Sequence, residues 1–256
     1  MNSSPRPGTD DTVAVSQTAR TQLQLRELIV GGELRPGQRI AELTLVERLG
    51  ASRTPIRMAL VRLQEEGLLE ALPNGGFVVK DFSEADIRDA IEVRGTLEGL
   101  AARFAAERGV TSMLMAEAHA LLDRIDTVLA KPRLSDASFE AYVEHNGAFH
   151  KLLIEMSGSD VLARQIERAV TLPFASPNGF VLAQANGEHA RDTLIVAQQQ
   201  HRSVIEAIAQ RAGARAEALM REHATIAHRN LREALQSQQT LKLVPGASLI
   251  RRRIGR

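Results

Sequence analysis

The sequence predicts a mainly α protein in two parts: an N-terminal winged helix-turn-helix and a C-terminal all-helical bundle of about six helices. Three observations predict it. Alanine and leucine dominate a 256-residue chain that is 44 % hydrophobic but only 3 % aromatic, a composition that favours helix. A short amphipathic segment turns through Gly50-Ala51 into a capped basic stretch, Ser52 to Leu69, and two apolar runs joined through Asn74-Gly75 follow. Beyond Asp81-Phe82, amphipathic segments recur between glycine and proline breaks to about residue 237.

Residues 1–15 are rich in Ser, Pro, Gly and Asp and read as a disordered arm. A unit spanning 16–80 follows. Its first helix carries Leu23, Leu25, Leu28 and Ile29 as a stripe and stops at Gly31-Gly32. After a Pro36-Gly37 turn, a second helix over about 42–49 directs Leu43, Val46 and Leu49 inward. In the third, Ser52 or Thr54 can cap the start, Pro55 suits the first helical position and Gly67 ends the helix. Ile56, Leu60 and Leu63 share one side, Arg53 and Arg57 lie on another, and Arg62 adds a third charge. A cationic, hydroxyl-bearing helix start is what a major groove accepts: Arg reads guanine O6 and N7, and hydroxyls hold phosphates. Asn74-Gly75 then predicts a tight hairpin with positive φ at both residues.

The second unit, 83–237, opens with Ser83-Glu-Ala-Asp86, the spacing of a capping box. Helices are expected over roughly 84–107, 111–130, 138–157, 160–170, 188–212 and 214–237, with a loop or short helix over 173–187. Asn146 and His150 are four apart and share a face; His201 and His223 each sit on an apolar helix face. Three inward imidazoles and an amide oxygen suit Zn²⁺, with Ni²⁺ and similar ions as alternatives; the other reading is hydrogen-bonded core histidines. A divalent ion among neutral ligands keeps its charge uncompensated, so the site should favour an anion such as a carboxylate effector. Arg94 could hold that carboxylate bidentately or pair with Glu98 one turn on. Residues 238–256, ending in Arg251-Arg-Arg253, read as a basic disordered tail.

Composition narrows the function. With 32 basic and 31 acidic side chains the formal charge is +1, so any DNA contact must come from local clustering. Residues 16–80 hold 9 basic and 7 acidic side chains, a balance of +2. The chain lacks cysteine, which excludes disulfides and thiol catalysis and suits the cytoplasm. The sparse aromatics argue against single-strand binding by stacking, and no apolar run approaches membrane-spanning length. A helical metal-dependent hydrolase is the alternative function, but neither His-Glu-x-x-His nor Glu-x-x-His occurs.

Leu34-Arg-Pro-Gly-Gln-Arg-Ile, Leu45-Val-Glu-Arg-Leu-Gly-Ala-Ser-Arg-Thr-Pro-Ile-Arg and the stretch from Gly67-Leu-Leu to Gly76-Phe-Val-Val resemble the GntR family of bacterial transcription regulators. The resemblance implies that Arg53, Thr54, Pro55 and Arg57 face double-stranded operator DNA, and that Gly75 or Gly76 enters the minor groove. The arginine that relatives carry at the start of the second helix is replaced here by Glu42-Leu-Thr-Leu. From about 83 to 237, Ile91-Glu-Val-Arg-x-x-Leu-Glu98 and the Asn146, His150, His201, His223 set resemble the FCD effector domain of the FadR-type subfamily, and the VanR group most of all. This implies those four residues as metal ligands, a small organic acid as effector, aromatic acids included, and a homodimer on an inverted repeat. It also implies repression relieved by the effector.

Overall fold

The computed structural model describes residues 10–131, 133–181 and 190–251. They fall into two units, one running up to Phe82 and rejoined by the chain from Ser248, the other spanning Ser83–Ala247.

The first unit contains α1 (Asp10–Val30), α2 (Glu42–Leu49), α3 (Arg53–Glu65) and a hairpin of β1 (Leu69–Ala71) and β2 (Phe77–Val79). Both α1 and α2 pack on α3. Leu25 and Ile29 of α1, Leu45 of α2, and Ile56, Leu60 and Leu63 of α3 are buried together with Leu68. The apolar stripes expected for α1 and α2 are narrower than their periodicity implied: Leu23 and Leu43 are about 60 % exposed, at 60 % and 59 %. The strands pair antiparallel with Leu69 opposite Val79 and Ala71 opposite Phe77. Residues 72–76 therefore form a five-residue loop rather than a two-residue turn. Its positive φ values fall at Gly75 (82°) and Gly76 (88°), not at Asn74. Arg39 bridges to Val78 and the Ile40 amide donates to the Phe77 carbonyl at 2.8 Å, so a third extended segment lines β2.

The region beyond 237 is a correction to the disordered tail. Ser237 caps α10 (Gln238–Leu241), and a 3₁₀ turn spans Ala247–Leu249. Ile250 then pairs in parallel with Phe82, whose amide donates to Leu249 at 2.8 Å and whose carbonyl accepts from Arg251 at 2.7 Å. Arg251 also holds Asp81 through two hydrogen bonds of 2.8 and 2.7 Å. The physical reason lies just before the arginines: Leu241, Val244, Leu249 and Ile250 are buried, and burying such apolar side chains supplies a reason to order. Arg252 and Arg253 fall outside the described residues. The arm expected over 1–15 lies outside them up to residue 9, and from Asp10 the backbone is helical.

Leu249 is fully buried, and truncating a buried leucine typically costs about 2–5 kcal/mol. Leu249→Ala is therefore expected to lower hydrogen-exchange protection across α1–α3 while the second unit keeps its own. Equal protection in variant and parent would show that the strap contributes nothing.

The second unit is built on α4 (Glu84–Arg108), α5 (Ser112–Leu129), α6 (Asp136–Met156), α7 (Asp160–Ala169), α8 (Ala190–Ala209) and α9 (Gly213–Gln236). Both capping-box bonds form at its start: Ser83 Oγ accepts from the Asp86 amide at 3.1 Å, and Asp86 Oδ2 accepts from the Ser83 amide at 2.7 Å. Thr111, Ser135 and Ser159 cap the next three helices with the single side-chain bond, each accepting from the amide three residues on. Within the region left as loop or short helix, Pro173–Ala175 forms a 3₁₀ turn, and 182–189 lie outside the described residues. Helices α4 and α9 run antiparallel, since Arg103 meets Glu217 while Gly95 meets Ala224. The approach is close because Gly95 has no side chain; a Cβ there would sit 2.5 Å from that of Ala224. This contact sets Arg94 and Glu98 of α4 against His223 of α9.

Candidate functional site

On α3, Arg53, Thr54 and Arg57 are exposed while Ile56, Leu60 and Leu63 are buried. Hydrophobic burial thus fixes which side of the helix remains free. Three expectations change here. Ser52 occupies the cap position, but no side chain completes the cap bond. Pro55 is the third helical residue and is buried, so it shapes the first turn and is not available as a contact. Arg62 donates to Gln22 of α1 at 3.4 Å, so the third positive charge is turned toward the protein. Gly75 and Gly76 lie at the tip of the wing, where a Cβ on Gly75 would meet nothing within 4 Å. Arg39 steadies that tip by donating to the Gly75 carbonyl at 3.1 Å.

In the second unit the three predicted histidines converge. One ring nitrogen from each of His150, His201 and His223 lies within 4.8 Å of the others, and all three residues are buried. Neighbours select the tautomers. The carboxylate Oε1 of Glu98 lies 2.9 Å from His150 Nδ1; because a carboxylate only accepts, Nδ1 carries a hydrogen, and Nε2 is the nitrogen left to face an ion. That Nε2 is buried without a hydrogen-bond partner among the described residues. Gln198 donates through Nε2 to the Leu122 carbonyl and to Asp126 at 2.9 and 2.8 Å, which leaves its oxygen to accept from His201 Nδ1 at 3.3 Å. Gln200 Oε1 stands 3.2 Å from His223 Nδ1 and selects the same tautomer. The Nε2 atoms of His201 and His223 then face each other at 3.1 Å, two lone pairs that a shared cation would relieve. Outer partners orienting ligand imidazoles in this manner are what metal sites require.

The surroundings of His201 and His223 keep both rings neutral. Burial, followed by repulsion from His223 and His150, pushes His201 well below the usual imidazole range. Burial and the His150 charge lower His223 to about 3. Burial alone would raise the Glu98 carboxyl, but His150 and Arg94 outweigh it and hold it at about 2. Glu98 therefore stays ionised, and Arg94 answers its charge at 3.2 Å.

The pairing of Arg94 with Glu98 is made, and it does not exhaust the guanidinium. Arg94 Nε has no hydrogen-bond partner among the described residues, and the residue lines a cavity with Tyr142, Asn146 and His223. Asn146, the fourth candidate ligand, is fixed by a relay. Asn178 donates to the Val143 carbonyl at 2.9 Å and accepts from Asn146 Nδ2 at 2.8 Å, leaving Asn146 Oδ1 as its remaining acceptor. Sequence reasoning missed Glu98, Gln198 and Gln200 as orienting partners. Gln198, three residues before His201 on one helix, was within reach of a spacing argument; the Gln200–His223 contact needs α8 packed on α9.

Comparison with known proteins places both units. Residues 17–79 match the bacterial regulatory proteins of the gntR family, and residues 89–225 match the FCD domain. The HTH-type transcriptional regulator McbR of Escherichia coli is 29 % identical over 162 residues, 63 % of this chain and 71 % of that protein. The HTH-type transcriptional repressor GlaR of the same organism is 28 % identical over 206 residues, covering 78 % and 88 %. The solved structure of E. coli McbR/YncC superposes with a TM-score of 0.59 at 22 % identity, covering 84 % of this chain and 97 % of that one.

Proposed function

Because the chain belongs to the FCD-containing branch of the GntR family of bacterial regulatory proteins, we propose that it is a dimeric repressor released from DNA by a small organic acid bound beside a metal ion. That it is a DNA-binding transcription regulator and not an enzyme follows from the family, and the hydrolase alternative falls with it. The observation that carries the rest is the convergence of three oriented imidazoles, one of which, His223, lines a cavity together with Arg94 and Asn146.

His150, His201 and His223 would hold the ion through Nε2 and Asn146 through Oδ1, with Zn²⁺ the first choice for such a set and Ni²⁺ the next. The ion supplies a divalent charge and open positions. Glu98 does not cancel that charge, since Arg94 offsets it within the buried pair. An anion is therefore favoured, and Arg94 can bind a carboxylate through the part of its guanidinium that Glu98 leaves free. Aromatic acids, expected from the VanR resemblance, remain within this class. In the other unit, Arg53, Thr54 and Arg57 would meet base edges and phosphates, with Gly75 or Gly76 lying against the minor groove. Two copies would read half-sites of an inverted repeat. Binding of the acid releases DNA only if it favours one arrangement of the paired heads over the other.

Selection from a random duplex pool with the zinc-loaded protein, followed by a small-acid screen on the selected complex, tests the proposal. An inverted repeat should emerge, and one or more acids should weaken the complex at least tenfold. Enrichment of single half-sites overturns the dimer; retention of the complex with every acid overturns the release.

A further inference from the structure

Asn230 lies on α9 seven residues after His223, two turns along the same face. It is 3 % exposed, and its Oδ1 is buried without a hydrogen-bond partner among the described residues. Its side chain lines the same cavity as Arg94, Asn146 and His223. The rest of its lining includes the apolar Phe180, Leu194 and Ile226. Seven helical residues separate His223 and Asn230 by about 10 Å along the axis. The cavity thus brings together a guanidinium that suits a carboxylate, apolar walls, and Asn230, whose amide oxygen lacks a hydrogen to accept.

We infer that Asn230 sets the specificity of the effector site, accepting a hydrogen bond from a hydroxyl remote from the effector's carboxylate. The inference rests on the acid-binding reading above and narrows it to hydroxylated acids. A plain acid leaves the buried Oδ1 orphaned, which sites built around a hydrogen bond penalise strongly. A dicarboxylate fails for a different reason: its second carboxylate, ionised at neutral pH, has no proton to give.

The test is isothermal titration of the zinc-loaded, full-length protein with matched acids: hexanoate, 6-hydroxyhexanoate and adipate, and 3-phenylpropanoate with its 4-hydroxyphenyl counterpart. Within at least one pair the hydroxylated acid should bind tenfold or more tightly, with adipate no better than hexanoate. Asn230→Leu, close in volume, should bring that ratio to about one. The ligand-free variant should melt at or above the parent temperature, because an unpaired buried acceptor has been removed. Equal binding within both pairs overturns the role of Asn230 while leaving the acid site standing, as does a lower melting temperature with the ratio retained. If no acid binds the parent protein, the acid-site reading itself has failed. Binding of the acids that is unchanged in Arg94→Gln would locate them elsewhere and overturn both.

Discussion

Zinc added to metal-free protein at a hundredfold excess over its Kd is expected to raise the melting temperature of the helical unit by about 5–11 °C, and His201→Ala should abolish the rise. The magnitude follows from linkage. A ligand at 100 Kd stabilises the state that binds it by about 2.7 kcal/mol, and each kcal/mol moves the midpoint of a domain of this size by about 2–4 °C. His201 is the telling position because it is fully buried, its Nε2 faces that of His223, and its ring stands edge-on to His150. Its removal also leaves a cavity that destabilises the metal-free protein, so the quantity to compare is the zinc-induced rise and not the midpoint. Elemental analysis of untagged protein provides the second readout. A His201→Ala protein that kept its full metal content would refute the ligand set.

Arg57→Ala and Arg53→Ala should each weaken operator binding by about 1–3 kcal/mol per half-site, and so by roughly twice that on a repeat read by two copies. The two possible roles leave different signatures. A guanidinium on a base edge, once lost, relaxes preference at one position; one on a phosphate weakens all sequences alike and reduces the salt dependence by about one unit of slope per contact. Both side chains project from a helix whose other face is buried against α1 and α2, so substitution should leave the fold of the unit intact. Gel shifts unaffected by either change would remove α3 from the DNA interface. Pro55→Ala, by contrast, should act only through the shape of the first turn.

The parts of the fold legible from sequence were those whose cause is local. The bounds of α4 to α9, the Ser83–Asp86 box and the inward His150, His201 and His223 follow from helical periodicity and capping chemistry, which a single segment carries. The exposure of Leu23 and Leu43 did not, because a helix can present more apolar residues than its neighbours cover. The loop at Asn74 was misread for a related reason: Gly76 offered a second residue tolerant of positive φ, and the strand register chose it. At the histidine cluster the ligand atoms were foreseeable, but Glu98, four residues past Arg94, was read only as that residue's ion-pair partner. Its hold on His150 depends on how α4 meets α6. The buried leucines and isoleucine near the C-terminal arginines were outweighed by the charge beside them.

The pairing of Ile250 with Phe82 has a consequence for biosynthesis. A ribosome has delivered the N-terminal helices long before it reaches Ser248, and the whole second unit is made in between. The first unit therefore cannot attain its final stability while the chain is still growing, although its helices are free to form. Full stability of the first unit is thus deferred until translation has passed Arg251.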